Sequence, residues 1–160
     1  MVQNGGVMAN SYTQIYIQAV WAVKHREAIL EKEWRDHLFA VIAKEINKTG
    51  CKVYIVNGVE DHIHCFFSLN PTVSISKIMK QAKGGSSKWL NKSGYVKNHF
   101  EWQRGYACFS YSRSAVKNVY NYIENQEAHH REVKFLREYE KFLKEFKIKY
   151  DKEYMFKELI

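Results

Sequence analysis

The hydrophobic pattern of the first half of the chain changes from strand-like to helical and back. Residues 12–23 are rich in β-branched and aromatic side chains and predict a first strand. Apolar residues then recur at helical spacing up to Gly50, a residue type favoured just after a helix ends. Two apolar runs, 51–57 and 62–69, are separated by the turn-like segment GVED and predict an antiparallel hairpin.

The second half of the chain begins with another helix and another strand. Ser74 or Ser76 predicts the N-cap of a second helix, whose apolar positions follow at helical spacing. Residues 105–112 predict a fourth strand. The resulting order, β-α-β-β-α-β, predicts an α+β fold with a ferredoxin-like antiparallel sheet.

Additional helices follow the predicted sheet. Ser112 or Ser114 predicts the N-cap of a third helix over 115–130. An amphipathic pattern over 135–146 predicts a last, charged helix. The fold is therefore expected to carry extra helices at its C-terminal end.

Composition indicates one globular domain with a polyanionic partner. The 160 residues suffice for one full core, and we predict a single domain over 11–160 after a disordered N-terminal extension, 1–10. An excess of 25 Lys+Arg over 17 Asp+Glu gives a net charge of +8, which suits DNA, RNA or an anionic membrane surface equally. No apolar run is long enough to cross a membrane, and three cysteines without metal-type spacing indicate reduced thiols inside a cell.

The predicted third strand contains two histidines in an apolar setting. Because side chains alternate along a strand, His62 and His64 point to one face while Ile63 and Cys65 point to the other. Two neighbouring histidines without other ligands are more often hydrogen-bonded residues than metal ligands. An open catalytic metal site usually takes about three protein ligands. A catalytic site here therefore needs another ligand and a nucleophile.

The predicted third helix offers candidates for both. Tyr122 and Gln126 are four residues apart and share one helix face, whereas Tyr120 points away from it. A glutamine carbonyl can ligate a hard cation, and a tyrosine oxygen can act as a nucleophile. His129 and His130 are weaker candidates, because adjacent helix positions point about 100° apart and both cannot readily join one site.

Four motifs carry a family resemblance: EDHIHCFF, KGGSSKWL, FEWQRGYACFSYS and VYNYIENQEAHH. In this order and spacing the chain, from about Ser11 onward, resembles the single-tyrosine insertion-sequence transposases, a branch of the HUH endonucleases. The resemblance implies that His62 and His64 are metal ligands and that Gln126 is the third ligand. It implies that Tyr122 is the nucleophile. Tyr111 departs from the pattern, which has a small apolar residue there.

The resemblance also implies an activity. It is that of a metal-dependent transposase that cleaves and rejoins single-stranded DNA at insertion-element ends through a covalent 5′-phosphotyrosine intermediate. It further implies Mg²⁺ or Mn²⁺, hairpins at the element ends, a homodimer, no membrane, and work on DNA in a prokaryotic cytoplasm. Imidazole ligands suit Mn²⁺ better than Mg²⁺. A domesticated relative that acts on repeat hairpins and a rolling-circle-type nickase are alternatives within the same chemistry.

Contacts to DNA are expected from basic and aromatic side chains. The basic candidates are Lys24, Arg26, Lys80, Lys83, Lys88, Arg104 and Arg113, and the stacking candidates are Trp89, Trp102 and Tyr106. The segment RGYACFSY also resembles the aromatic strand motif of the common RNA-recognition module. In that module the motif lies on the third strand, which here holds the histidines. A non-catalytic RNA-binding ferredoxin-like module is therefore the alternative from another class.

Overall fold

The computed structural model describes residues 11–130 and 134–150, so the extension predicted over 1–10 lies outside the described residues. The strands are β1 (Tyr16–Ala22), β2 (Lys52–Gly58), β3 (His62–Ser68) and β4 (Ala107–Tyr111). The helices are α1 (Lys32–Asn47), α2 (Ile75–Ser93), α3 (Val116–Glu124), α4 (Gln126–His130) and α5 (Phe135–Glu145). Within the described ranges, no helix is long and apolar enough to span a membrane.

The four strands form one antiparallel sheet in the order β2-β3-β1-β4. The two middle strands, β3 and β1, pair along their whole length, so that His64 lies opposite Val20. Strand order and helix placement confirm the ferredoxin-like α+β fold predicted from the sequence. The histidine strand is thus an inner strand, paired on both sides.

One face of the sheet carries the larger core. Helices α1 and α2 pack on this face. Apolar side chains from alternate positions of β1 and β3, including Trp21, Ile63 and Phe67, are buried under them. Ser74, one of the two predicted caps, is the N-cap of helix α2, and its side-chain oxygen accepts a hydrogen bond from the Lys77 backbone N–H.

The opposite face of the sheet receives the C-terminal helices. Helix α3 packs on Phe66 through Val119 and Ile123. Helix α5 covers the other end of this face, where Phe135 and Leu143 pack against Val20, Ala22 and Phe109 of β1 and β4. His62 and His64 belong to this second face by strand alternation, and they contact Tyr122 of α3 and Glu138 and Phe135 of α5.

Several boundaries differ from the predictions, among them those of β4, which spans Ala107–Tyr111 instead of 105–112. Strand β1 begins at Tyr16 instead of residue 12. The single helix predicted over 115–130 is interrupted at Asn125. A short 3₁₀ segment precedes it, with Ser112 at the N-cap position but without a side-chain cap hydrogen bond. At the interruption, the Asn57 side chain donates to the carbonyls of Ile123 and Glu124 at 2.8 and 3.0 Å. These bonds satisfy carbonyls at the end of α3 and pin it to β2.

Candidate active site

The histidine pair is fully buried, and each ring is held through its Nδ1 atom. His62 Nδ1 lies 2.6 Å from Asp61 Oδ1, and His64 Nδ1 lies 2.8 Å from Gln18 Oε1. Both side chains are 0% exposed. Because an acceptor holds each Nδ1–H, the Nε2 atoms are the ones left to face a ligand.

A carboxylate from α5 completes a three-residue cluster. Glu138 Oε1 lies 2.9 Å from His64 Nε2 and 3.9 Å from His62 Nε2. One ligand atom from each of the three residues lies within 4.8 Å of the other two. Glu138 is only 3% exposed, so this carboxylate is enclosed among the imidazoles. Two imidazole nitrogens and a carboxylate oxygen are a donor set that suits a divalent transition metal.

Tyr122 of α3 reaches the same carboxylate. Its hydroxyl donates to Glu138 Oε2, whereas His62 and His64 lie near Oε1. His129 Nε2 lies 2.8 Å from Glu138 Oε2 and 3.3 Å from the Tyr122 hydroxyl oxygen. Glu138 thus joins the histidine strand to the tyrosine helix. Sequence reasoning ranked His129 low, yet it contacts this group, whereas the side chain of His130 is outside the described set.

The electrostatics keep the tyrosine protonated at neutral pH. Burial raises the pKa of the Tyr122 hydroxyl, and the charge and hydrogen bond of Glu138 raise it further. A hydrogen bond from Gln126 acts in the opposite direction but does not compensate. Tyr122 therefore needs a proton acceptor and a compensating positive charge before its oxygen becomes a strong nucleophile.

Gln126, the third ligand implied by the family resemblance, lies at the first position of α4. Its side chain is buried, with Nε2 3.4 Å from the Tyr122 carbonyl oxygen. Among the described residues, no hydrogen-bond partner is found for its buried Oε1. An unsatisfied buried amide oxygen beside the tyrosine suits a ligand role, although the ligand role of Gln126 stays a prediction.

A second layer of residues supports His62. Arg26 donates to Asp61 Oδ2 at 2.9 Å, and its guanidinium lies 4.6 Å from the centroid of the Phe135 ring, which stacks on His62. Burial raises the pKa of Asp61, but bonds and charges from His62 and Arg26 outweigh that effect and lower it to about 2. Arg26 was predicted to contact DNA, but it is 8% exposed and points into the protein. Its position indicates a supporting role.

The other predicted DNA contacts fall into two groups. Lys83 donates to the carbonyls of Gln103 and Gly105, and burial lowers its pKa, while Lys24 forms an ion pair with Glu101 at 2.6 Å. Lys80, Lys88, Arg104 and Arg113 are exposed, as is Lys24. Their roles toward DNA remain predictions.

The aromatic candidates differ in exposure. Trp102 is a core residue, packed edge-on against Trp21 and bonded to Ser86, and so is not free to stack on a base. Trp89 is half-buried and contacts Tyr95. Tyr106 is 37% exposed and lies just before β4.

The RNA-binding alternative requires an open aromatic sheet face, and β4 does not offer one. Phe109 stacks under Phe142 of α5 with ring centroids 5.1 Å apart. Tyr111 contacts Phe146 and accepts a hydrogen bond from Gln18 Nε2 at 2.8 Å. The aromatic residues of this strand are therefore covered by the last helix instead of being presented to bases.

The most informative site residue that sequence reasoning missed is Glu138. It lies within the apolar stripe of α5, three residues after Phe135 and four before Phe142. A charged residue on an otherwise apolar helix face is rarely buried without partners. The glutamate at this position of the apolar stripe was therefore the feature of the sequence that could have indicated a site residue. Gln18 and Asp61 had no comparable signal, because each is identified only by its contact to a histidine.

The fold and site together define an HUH-type protein: a ferredoxin-like antiparallel sheet whose inner strand carries a His-hydrophobic-His pair opposite a tyrosine helix. The chain belongs to the family described as IS200-like transposases, whose sequence profile matches residues 11–126. The ISDra2 transposase TnpA of Deinococcus radiodurans is 25% identical over 120 residues, which cover 71% of this chain and 84% of that protein.

Two solved structures share the fold. The crystal structure of a candidate transposase from Deinococcus radiodurans has a TM-score of 0.60 at 22% identity, covering 76% of this chain and 96% of that chain. A REP-associated tyrosine transposase bound to a REP hairpin has a TM-score of 0.56 at 15% identity, covering 78% and 76%. At these identities the likeness concerns the fold.

Proposed function

We propose that this protein is a metal-dependent single-stranded DNA transposase that uses Tyr122 as its nucleophile. One observation carries the proposal: the Tyr122 hydroxyl and the imidazoles of His62 and His64 meet on the same carboxylate, that of Glu138. A nucleophile and a cluster of metal-type ligands from distant parts of the sequence thus converge within one subunit. Membership of the IS200-like family supports the same activity.

The proposed cleavage is a transesterification. The Tyr122 oxygen attacks the scissile phosphorus, a bond from phosphorus to that oxygen forms, and the bond to the DNA 3′ oxygen breaks. The tyrosine proton passes to Glu138, which already accepts its hydrogen bond, and from there to the departing 3′ oxygen. The products are a 5′-phosphotyrosine and a free 3′-hydroxyl. Since the phosphodiester energy is retained, another 3′-hydroxyl can reverse the reaction and join new ends without ATP.

The side chains present fit a divalent cation. We assign His62, His64 and Gln126 as ligands, and the buried Gln126 oxygen without a partner among the described residues supports its inclusion. When bound, Mg²⁺ or Mn²⁺ would polarise the scissile phosphate and offset charge that develops on its oxygens. Asp61 and Gln18 would keep both imidazole rings oriented for binding.

The proposed substrate is single-stranded DNA with hairpins at the ends of an insertion element, encountered in a prokaryotic cytoplasm. Support comes from the net charge of +8 and from the relative whose structure holds a REP hairpin. Exposed Lys80, Lys88, Arg104 and Arg113 would contact the backbone, and Tyr106 could stack on a base. A homodimer would bring two such sites together, as excision of two element ends requires.

A second candidate function is cleavage of repeat hairpins without insertion of an element. It is favoured by the fold likeness to the transposase bound to a REP hairpin. The two functions share the cleavage step and differ in the fate of the cleaved strand. Joining of two cleaved ends in a purified reaction supports transposition, whereas cleavage and resealing of single hairpins alone supports hairpin processing.

The activity can be tested with labelled single-stranded DNA that carries the hairpins flanking the gene, incubated with Mn²⁺ and separated on denaturing gels. We expect a covalent protein–DNA adduct that is lost in Tyr122→Phe and in the presence of a chelator. Tyr120→Phe is the matched control, because Tyr120 lies on the same helix but is exposed, and this variant should retain the adduct. An adduct that survives Tyr122→Phe would refute the assignment.

A further inference from the structure

We infer that Glu138 is a metal ligand of this chain, contributed by a helix that lies outside the segment shared with the family profile. The inference rests on the proposed function, since it concerns the same site. The profile matches residues 11–126, whereas α5 begins at Phe135. The metal centre would thus include a donor that neither the histidine strand nor the tyrosine helix supplies.

The geometry of the cluster favours coordination. With metal–ligand bonds of about 2.1 Å, ligand atoms at right angles lie about 3 Å apart and opposite ones about 4.2 Å apart. Glu138 Oε1 lies 2.9 Å from His64 Nε2 and 3.9 Å from His62 Nε2, within that range. All three donors lie within 4.8 Å of one another, so a small shift of these side chains closes a single site.

The surroundings of Glu138 are those of a fixed group. Phe135, one turn earlier on α5, stacks on the His62 ring at 4.1 Å, and Leu143 is buried in the same apolar cluster. These contacts hold the helix against the histidine strand, so that the carboxylate enters the site from a packed element.

The two oxygens of Glu138 have separate tasks in this arrangement. Oε1 faces the histidines, while Oε2 accepts the Tyr122 hydroxyl and contacts His129. A carboxylate that binds a cation through one oxygen can keep the tyrosine beside that cation through the other. A single side chain, that of Glu138, would then set the distance between the Tyr122 oxygen and the scissile phosphate.

Manganese affinity in the absence of DNA tests the inference. We expect Glu138→Gln to weaken Mn²⁺ binding in calorimetry at least about tenfold, because even partners outside the coordination shell change metal affinity about 10–100-fold. Glu145→Gln, an exposed glutamate of the same helix, is the matched control and should bind like the unmodified protein.

Manganese binding by Glu138→Gln that is unchanged or tighter would overturn the inference and would indicate that the carboxylate occupies the site only in the metal-free protein. A second measurement does not depend on the folding of the variant. Crystals of the unmodified protein soaked in Mn²⁺ should show an anomalous peak bonded to both histidines and to Glu138. A peak held by the histidines with the Glu138 side chain turned away would contradict the inference.

These outcomes are separable from the fate of the proposed function. If Tyr122 forms the DNA adduct but Glu138→Gln binds Mn²⁺ normally, the transposase proposal stands and the ligand inference fails. If Glu138→Gln loses Mn²⁺ affinity but no adduct forms on any DNA, the ligand inference is supported and the proposed activity is refuted.

Discussion

Single residues in this site act through neighbours that fix their position. His62 is held by Asp61, which is held by Arg26, so that a basic residue expected to meet DNA instead supports a buried imidazole. His64 is held by Gln18 of the neighbouring strand, and that glutamine also donates to Tyr111. This last contact accounts for the unusual tyrosine in the fourth strand, because its hydroxyl helps to orient the amide that in turn orients a histidine.

The lowered pKa of Asp61 makes a prediction about acid stability in the metal-free protein. A carboxyl whose pKa falls from 3.8 to about 2 on folding stabilises the native state above its unfolded pKa, and the benefit disappears as pH falls through the folded value. At neutral pH the contribution is about 2 kcal/mol. Asp61→Asn should therefore lower the free energy of unfolding near pH 6.

Urea unfolding in the presence of a chelator, repeated between pH 6 and pH 2, measures this effect. The difference between unmodified protein and Asp61→Asn should shrink steadily below about pH 4. A difference that stays constant across the range would show that the ion pair with Arg26 and the bond to His62 do not stabilise the charged carboxylate.

At the scale of elements, local patterns predicted most of the sheet but not the part of the site that depends on contacts between distant segments. The hairpin of β2 and β3 follows from alternation around a short turn, and the facing of His62 and His64 follows from the same rule. The anchoring of the tyrosine helix to β2 could not be predicted, because the side chain that bonds the helix end, Asn57, lies 66 residues before Ile123. Glu138 was missed for a similar reason, since its role depends on where α5 packs.

The anchoring of the tyrosine helix to β2 predicts the behaviour of Asn57→Ala. Removal of this amide leaves the carbonyls of Ile123 and Glu124 without their side-chain donor, which should cost about 1–3 kcal/mol of stability. Because those carbonyls immediately follow Tyr122, the rate of adduct formation should also fall.

Urea unfolding and adduct gels measure the two effects of Asn57→Ala. Asn118→Ala, an exposed asparagine of the same helix, is the control and should change stability by less than about 0.5 kcal/mol. Equal behaviour of the two variants would show that the helix end does not depend on the strand.

At the scale of the whole molecule, one chain brings Tyr122 and the histidine pair together. The rings of His64 and Tyr122 lie 5.9 Å apart within the same subunit, so that the proposed attack can take place within one chain. If the protein forms the proposed homodimer, each subunit would contain a complete site in this arrangement.

Mixing two inactive variants tests this arrangement. Tyr122→Phe lacks the nucleophile and His64→Ala lacks a ligand, and each keeps what the other has lost. Attack within one subunit predicts no adduct from their mixture, even after unfolding and refolding together. Recovery of adduct in the mixture, to a sizeable fraction of the unmodified level, would show that the tyrosine helix serves the histidines of the other subunit.

The most direct test of the proposed nucleophile is to locate the DNA on the protein. The covalent product formed with Mn²⁺ would be trimmed with nuclease and trypsin, and the peptide over 118–131 fragmented by mass spectrometry. We predict a nucleotide mass on Tyr122, with Tyr120 in the same peptide unmodified. A nucleotide on Tyr120, on a residue outside this peptide, or on no residue despite cleavage of the DNA would contradict the assignment of Tyr122.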